Sequence, residues 1–165
     1  MIPESVAGVL FSEDRSQVLL ILRRDVPVWV LPGGGIDPNE TPDNAIVREI
    51  LEETGFRVKI ERLAGSYIPI NRLTRPTFLY ECSILSGSAT LSAETRGVRF
   101  FPLNQLPSMP PPYRDWIEDA QAAIEPAPRK TLDSVNYRML FKHLLCHPLL
   151  VLRFLLARLG LPINS

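Results

Sequence analysis

Between Gly34 and Phe56 the chain runs Gly34, five residues, Glu40, seven residues, then Arg48-Glu49-Ile50-Leu51-Glu52-Glu53-Thr54-Gly55-Phe56. This stretch dictates a loop, a helix and an abrupt stop. Thr41 suits an N-cap and Pro42 the first helical position. Gly55 sits where a left-handed glycine ends a helix, so the helix spans Pro42 to Thr54. Ala45, Ile46, Ile50 and Leu51 supply its apolar stripe. Glu49, Glu52 and Glu53 stand at i, i+3 and i+4 and therefore share one face. Arg48 lies four residues before Glu52, within reach of a bidentate bond to a carboxylate. Glutamates gathered this densely repel one another, and stability alone gives no reason to collect them. A divalent cation gives one: hard oxygen ligands suit Mg²⁺ or Mn²⁺, which often work on substrate phosphates. An acidic run by itself is usually a solvated helix face. Seven fixed residue types and two apolar positions at set spacing are another matter; at average residue usage a random window matches on the order of once in 10⁹ or less often.

Around that helix the chain alternates turns and apolar runs. Ser5–Phe11, Gln17–Arg23, Val28–Leu31, Val58–Tyr67, Pro76–Leu85 and Val98–Phe101 read as strands. Pro32-Gly33-Gly34-Gly35 reads as a loop whose backbone lies close to a ligand. Tyr113 to Ile124 has helical spacing, with Trp116, Ile117 and Ala120 on one side. After Glu125-Pro126-Ala127-Pro128 the composition shifts. Ser134 to Cys146 and Pro148 to Leu159 read as two helices split by His147-Pro148, the second leucine-rich and too short and charged to span a bilayer. The expected organisation is therefore a domain over 1–125 and a basic helical extension over 126–165.

Charge supports the same division. Residues 1–125 carry 12 Lys/Arg against 17 Asp/Glu, a net −5, and residues 126–165 carry 6 against one, a net +5. An acidic body argues against a general nucleic-acid-binding surface. Two cysteines, Cys82 and Cys146, do not make a disulfide framework, and with no secretory leader in view the expected setting is the reducing cytoplasm.

Gly34-x5-Glu40-x7-Arg48-Glu49-Ile50-x-Glu52-Glu53-x-Gly55-Phe56 resembles the Nudix box, the signature of the Nudix hydrolases, at every specified position. The flanks Trp29-Val30-Leu31-Pro32-Gly33-Gly34 and Phe100-Phe101-Pro102-Leu103 look similar too, so the resemblance covers residues 5–125 in layout. It implies an α/β fold: an α/β/α sandwich around a mixed β-sheet, here followed by the C-terminal helical extension. It implies Mg²⁺-dependent hydrolysis, with Mn²⁺ as an alternative, of a nucleoside diphosphate linked to some group X. By that analogy Glu49, Glu52 and Glu53 bind metal with the carbonyl of Gly33 or Gly34, and Arg48 orients the glutamates together with Glu40. Asn39 departs from the glycine that many members have there, but asparagine tolerates left-handed backbone. Metal ions would neutralise phosphate oxygens and activate water, and a carboxylate would take the proton. Glu49 is the preferred base; Glu94, preceding the last strand, is the other candidate.

Trp29, Arg72 and Arg75, with Tyr67 and Tyr80, are candidates for substrate contact: aromatics stack on a base and arginines meet phosphates. Packing on a sheet is the preferred reading for the aromatics, and for the arginines a solvated hairpin tip stands level with substrate contact. His143, Cys146 and His147 are better read as helix surface than as a zinc site. For the tail, packing on the domain or a homodimer interface comes first, an anionic membrane surface second and a separate partner third. The alternative to catalysis is a module that binds a nucleotide without cleaving it, which the intact glutamates disfavour.

Overall fold

Strands β1 (Ser5–Val9) and β2 (Gln17–Arg23) are buried along most of their length, which requires a covering layer on each side of them. The computed structural model describes residues 2–138 together with Leu149, Leu152 and Leu156. After β1 and β2 come β3 (Trp29–Val30), β4 (Gly33–Gly35), α1 (Pro42–Thr54), β5 (Phe56–Pro69), β6 (Thr77–Gly87), β7 (Thr95–Pro102), a 3-10 turn (Leu103–Gln105), α2 (Tyr113–Ala122) and β8 (Arg129–Leu132). Five strands form a mixed sheet in the order β4-β1-β6-β5-β8, and β3-β2-β7 form a smaller antiparallel sheet. β1 runs parallel to β6 and β5 parallel to β8; the other pairs are antiparallel.

The two helices supply the covering layers, giving an α/β/α sandwich. Ala45, Ile46 and Ile50 of α1 pack with Val6, Leu10, Leu19, Val58 and Tyr80. Trp116, Ile117 and Ala120 of α2 pack with Ala7, Val9, Val18, Leu20 and Leu79 on the other side. Along β1, successive residues thus point to opposite cores, as a strand's period of two demands. Helix α1 sits close because residue 8 has no side chain: a Cβ on Gly8 would lie 2.8 Å from Ile50 Cδ1. Ile50 is fully buried, so Ile50→Ala should cost about 2–5 kcal/mol of stability, read as a lower urea midpoint at unchanged slope.

Two expectations are corrected and one choice is decided. Gly33–Gly35 is a strand, not a loop, since its backbone pairs with Ser5–Ala7. Leu51 is exposed, because Glu53 and Thr54 take the inward positions at that end of the helix. Tyr67 and Tyr80 are buried, and their hydroxyls donate to Asp119 and Asp43, each at 2.7 Å, so both belong to the core and not to a ligand surface. Arg129–Leu132, within the stretch 126–165, pairs with Ser66–Pro69 and extends the main sheet. Tyr137, Arg138, Leu149, Leu152 and Leu156 are helical; most of the two expected tail helices, including His143, Cys146 and His147, lies outside the described residues. Cys82 is a buried free thiol, pushed by burial up to about 12. Among the described residues no helix is long and apolar enough to cross a membrane.

Candidate active site

Helix α1 starts and stops as its sequence dictates. Thr41 Oγ1 accepts from the Asn44 N–H at 3.3 Å, and Gly55 closes the helix at φ +79° with its N–H on the Leu51 carbonyl. Asn39 adopts the left-handed conformation, φ +68°, that the loop before the helix needs. The carboxylate-bearing face is thereby fixed against β4.

β4 presents its outer edge to those carboxylates. Gly8 donates to the Pro32 carbonyl and Ile36 to the Glu4 carbonyl at the two ends of the β1–β4 ladder. The two-residue period of an antiparallel ladder then turns Gly34 towards Val6 and leaves Gly33 and Gly35 facing outward. Both outward contacts are present: the Gly33 N–H donates to Glu53 Oε2 at 2.8 Å, and Arg48 Nη2 donates to the Gly35 carbonyl at 3.1 Å. Gly34 contributes space. A Cβ there would come within 2.5 Å of Glu49 Oε1.

Arg48 is the hub. Its Nε and Nη2 make a bidentate pair with Glu40, each at 2.9 Å, while Nη1 donates to Glu49 at 2.9 Å and to Glu52 at 3.3 Å. The pair holds the Glu40 carboxyl down at about 2. The three helix glutamates differ in setting although they share a face. Glu53 is 6% exposed, Glu49 is partly buried and Glu52 is exposed. Burial lifts the Glu53 carboxyl to about 8; the Gly33 N–H opposes the rise, and the charge of Glu49 adds to it. Glu49 is likewise pushed up by burial, against the pull of Arg48.

The fourth wall of the cleft comes from the segment between β6 and β7. Glu49, Glu52 and Glu53 face Ser92, Ala93 and Glu94 across it. The segment is stapled to the end of α1: Thr95 Oγ1 donates to the Glu53 carbonyl at 2.9 Å, and the Thr90 N–H to the Thr54 carbonyl at 2.9 Å. The Arg24 N–H holds the Glu94 carbonyl at 2.9 Å. The structure thus brings Glu94 to the helix glutamates, 41 residues away along the chain from Glu53.

Among the described residues the carboxylates line the cleft without closing on one point. Arg48 draws Glu49 and Glu52 to itself, and Gly33 holds Glu53. The donor set still fits a divalent ion: hard oxygens on one face, one of them pushed by burial far above its ordinary range despite the nearby Arg23.

The substrate candidates are spread wider. Trp29 is half-buried and meets the Phe101 ring edge-on at 4.7 Å between centroids. Arg72 and Arg75 are exposed in the 70–76 loop, and Arg75 Nη1 is 3.5 Å from where a Cβ on Gly35 would stand. Arg23 and Asp25 went unremarked in the sequence. They form a bidentate pair at 2.9 and 2.5 Å, and Arg23 is near enough to Glu53 and Tyr113 for their charges to act on it. An arginine two residues before an aspartate at the end of a strand was the only local signal.

Comparison with known proteins agrees with this geometry. The NUDIX domain family model matches residues 1–120. The Bacillus subtilis (strain 168) protein described as "Putative 8-oxo-dGTP diphosphatase" is 38% identical over 114 residues, 66% of this chain and 72% of that protein. The ADP-ribose pyrophosphatase of Methanocaldococcus jannaschii is 31% identical over 121 residues, 70% of each chain. The crystal structure of an ADP-ribose pyrophosphatase from Streptococcus suis 89-1591 superposes with a TM-score of 0.64 at 24% identity, covering 79% of this chain and 98% of that one.

Proposed function

Taking as premise that this chain belongs to the Nudix family and is a hydrolase of phosphoric anhydrides, we propose that it cleaves a nucleoside diphosphate linked to a group X by attack of water at phosphorus. The acidic cleft carries this reading: three helix glutamates opposed by Glu94, with Arg48 tying the cluster to Glu40. A divalent ion, Mg²⁺ or Mn²⁺, would be held by Glu49, Glu52 and Glu53, and when bound would neutralise phosphate oxygens and make water acidic enough to attack. The backbone ligand would be the carbonyl of Gly33, not Gly34, because Gly34 faces Val6 in the β1–β4 ladder.

The protein's own groups then divide the work. Arg48 keeps Glu49 and Glu52 on the cleft side of the helix. Glu53 is buried against Gly33 and anchors the site. Glu94 takes the proton from water: it faces the ligand cluster from a pinned backbone, whereas Glu49, the base preferred from sequence, is engaged by Arg48 and would also hold the ion. Trp29 offers a ring for base stacking, and Arg72 and Arg75 offer charge to the phosphates or to X. The site of action is the cytoplasm.

The test is a hydrolysis screen of nucleoside triphosphates, ADP-ribose, nucleotide sugars and dinucleoside polyphosphates, each with Mg²⁺ and Mn²⁺. Glu94→Gln should lower kcat about 10²–10⁴-fold while leaving Mn²⁺ affinity intact. Glu49→Gln should weaken Mn²⁺ binding itself. Equal activity of Glu94→Gln and the parent would remove Glu94 as the base. A panel bound tightly but never cleaved would remove the hydrolase.

A further inference from the structure

The 70–76 loop, which carries both arginines of the proposed substrate face, is held at its two ends by different parts of the chain. At its far end the Glu4 and Ser5 N–H groups both donate to the Pro76 carbonyl, at 2.9 and 3.1 Å, and Thr77 Oγ1 donates to the Arg75 carbonyl at 2.8 Å. That end is therefore fixed to β1 opposite Gly35, where the Arg75 guanidinium lies.

The near end is fixed by Asn71. Its Oδ1 accepts from the Leu73 N–H at 2.8 Å, which shapes the loop's first turn. Its Nδ2 donates to the Val135 carbonyl at 2.8 Å, 64 residues further on. Val135 and Leu132 are both buried, and β8 runs parallel to Ser66–Pro69, which leads straight into the loop. Residues 129–132 thus lie alongside the strand that launches the loop, and Val135 just beyond them grips the side chain of the loop's second residue. Nothing in a hairpin connection of this kind requires a partner so far along the sequence.

We propose that Asn71 is a positioning residue: by joining the 70–76 loop to the C-terminal segment 129–135, it holds Arg72 and Arg75 in place to receive the charged end of the phosphoanhydride substrate. The extension is then part of the substrate site and not an appendage. This rests on the reading of Arg72 and Arg75 as substrate contacts, and the test separates the two.

The measurement is steady-state kinetics on the best substrate of the screen, in the full-length chain. Asn71→Ala should raise KM about tenfold, the worth of one good hydrogen bond, with kcat within twofold of the parent. Asn71→Asp keeps the acceptor for the Leu73 N–H but sets a carboxylate against the Val135 carbonyl, so it should raise KM as much; Asn71→Gln, with its amide retained, should recover part of the loss. In an Arg72→Ala/Arg75→Ala background, Asn71→Ala should add nothing to KM. If the double arginine variant itself binds substrate as the parent does, the arginine reading fails and the proposal with it. If the arginines matter but Asn71→Ala lowers only the melting temperature, or raises KM equally in both backgrounds, Asn71 is merely structural and the proposal is overturned.

Discussion

Glu53→Gln should abolish most turnover and, at alkaline pH without metal, make the protein more stable. The loss follows from removing an ionised ligand next to the developing charge, for which about 10²–10³ in kcat is expected. The gain follows from linkage. Glu53 has its proton affinity lifted by burial from 4.5 to about 8 in the folded chain. Between those values the unfolded chain releases the proton and the folded chain keeps it, so stability falls as pH rises, by roughly 1.4 kcal/mol per pH unit. The stabilising difference is fully present below about 4.5 and gone above about 8. Glutamine has no proton to lose and still accepts from the Gly33 N–H, so the variant should lose Glu53's share of the slope and keep only the smaller one from Glu49. Urea unfolding in chelator at pH 5 and pH 9 measures it. Mg²⁺ should flatten the parent's slope and move the variant's curve less, since Glu49 and Glu52 remain. Parallel curves for the two proteins, or a variant that turns over like the parent, would contradict the assignment.

Arg48→Lys should cost about 10–100-fold in kcat/KM, although the charge is kept. One guanidinium meets Glu40, Glu49, Glu52 and the Gly35 carbonyl together. An ammonium on a flexible stem cannot span the Glu40 carboxylate bidentately and reach the other three. The glutamates would lose their fixed direction, and weaker Mn²⁺ binding should accompany the slower rate. Raising Mn²⁺ should therefore restore part of the activity. A lysine variant within threefold of the parent at low metal would show that charge alone suffices at this position.

Much of the site could be read from residue order because it is local. The cap at Thr41, the stop at Gly55 and the three glutamates between them lie within one helix, where side-chain direction follows from spacing. The strand Gln17–Arg23 was equally plain, being an apolar run bounded by turn residues. What escaped was set by partners far along the chain. Three glycines carry no side-chain period, so β4 exists only because β1 pairs with it. Arg-Lys-Thr-Leu has the composition of a basic tail, and only β5, some 60 residues earlier, makes it a strand. The unequal burial of Glu49, Glu52 and Glu53 depended on where β4 lies. The bond from Asn71 to Val135, 64 residues apart, had no local signal at all.

β8 has one more consequence, for the company the molecule keeps. A long strand with bare N–H and C=O groups along its flank invites another chain to zip onto it. The last four residues of β5 are spared this by Ser66–Pro69 pairing with β8. The covering strand is only four residues long; it exposes Arg129, while its Lys130 is tied to Asp119 at 2.5 Å, and a short, charged edge strand is a poor template for a second molecule. Among the described residues, a short piece of the basic end thus covers the stretch of sheet border just before the 70–76 loop.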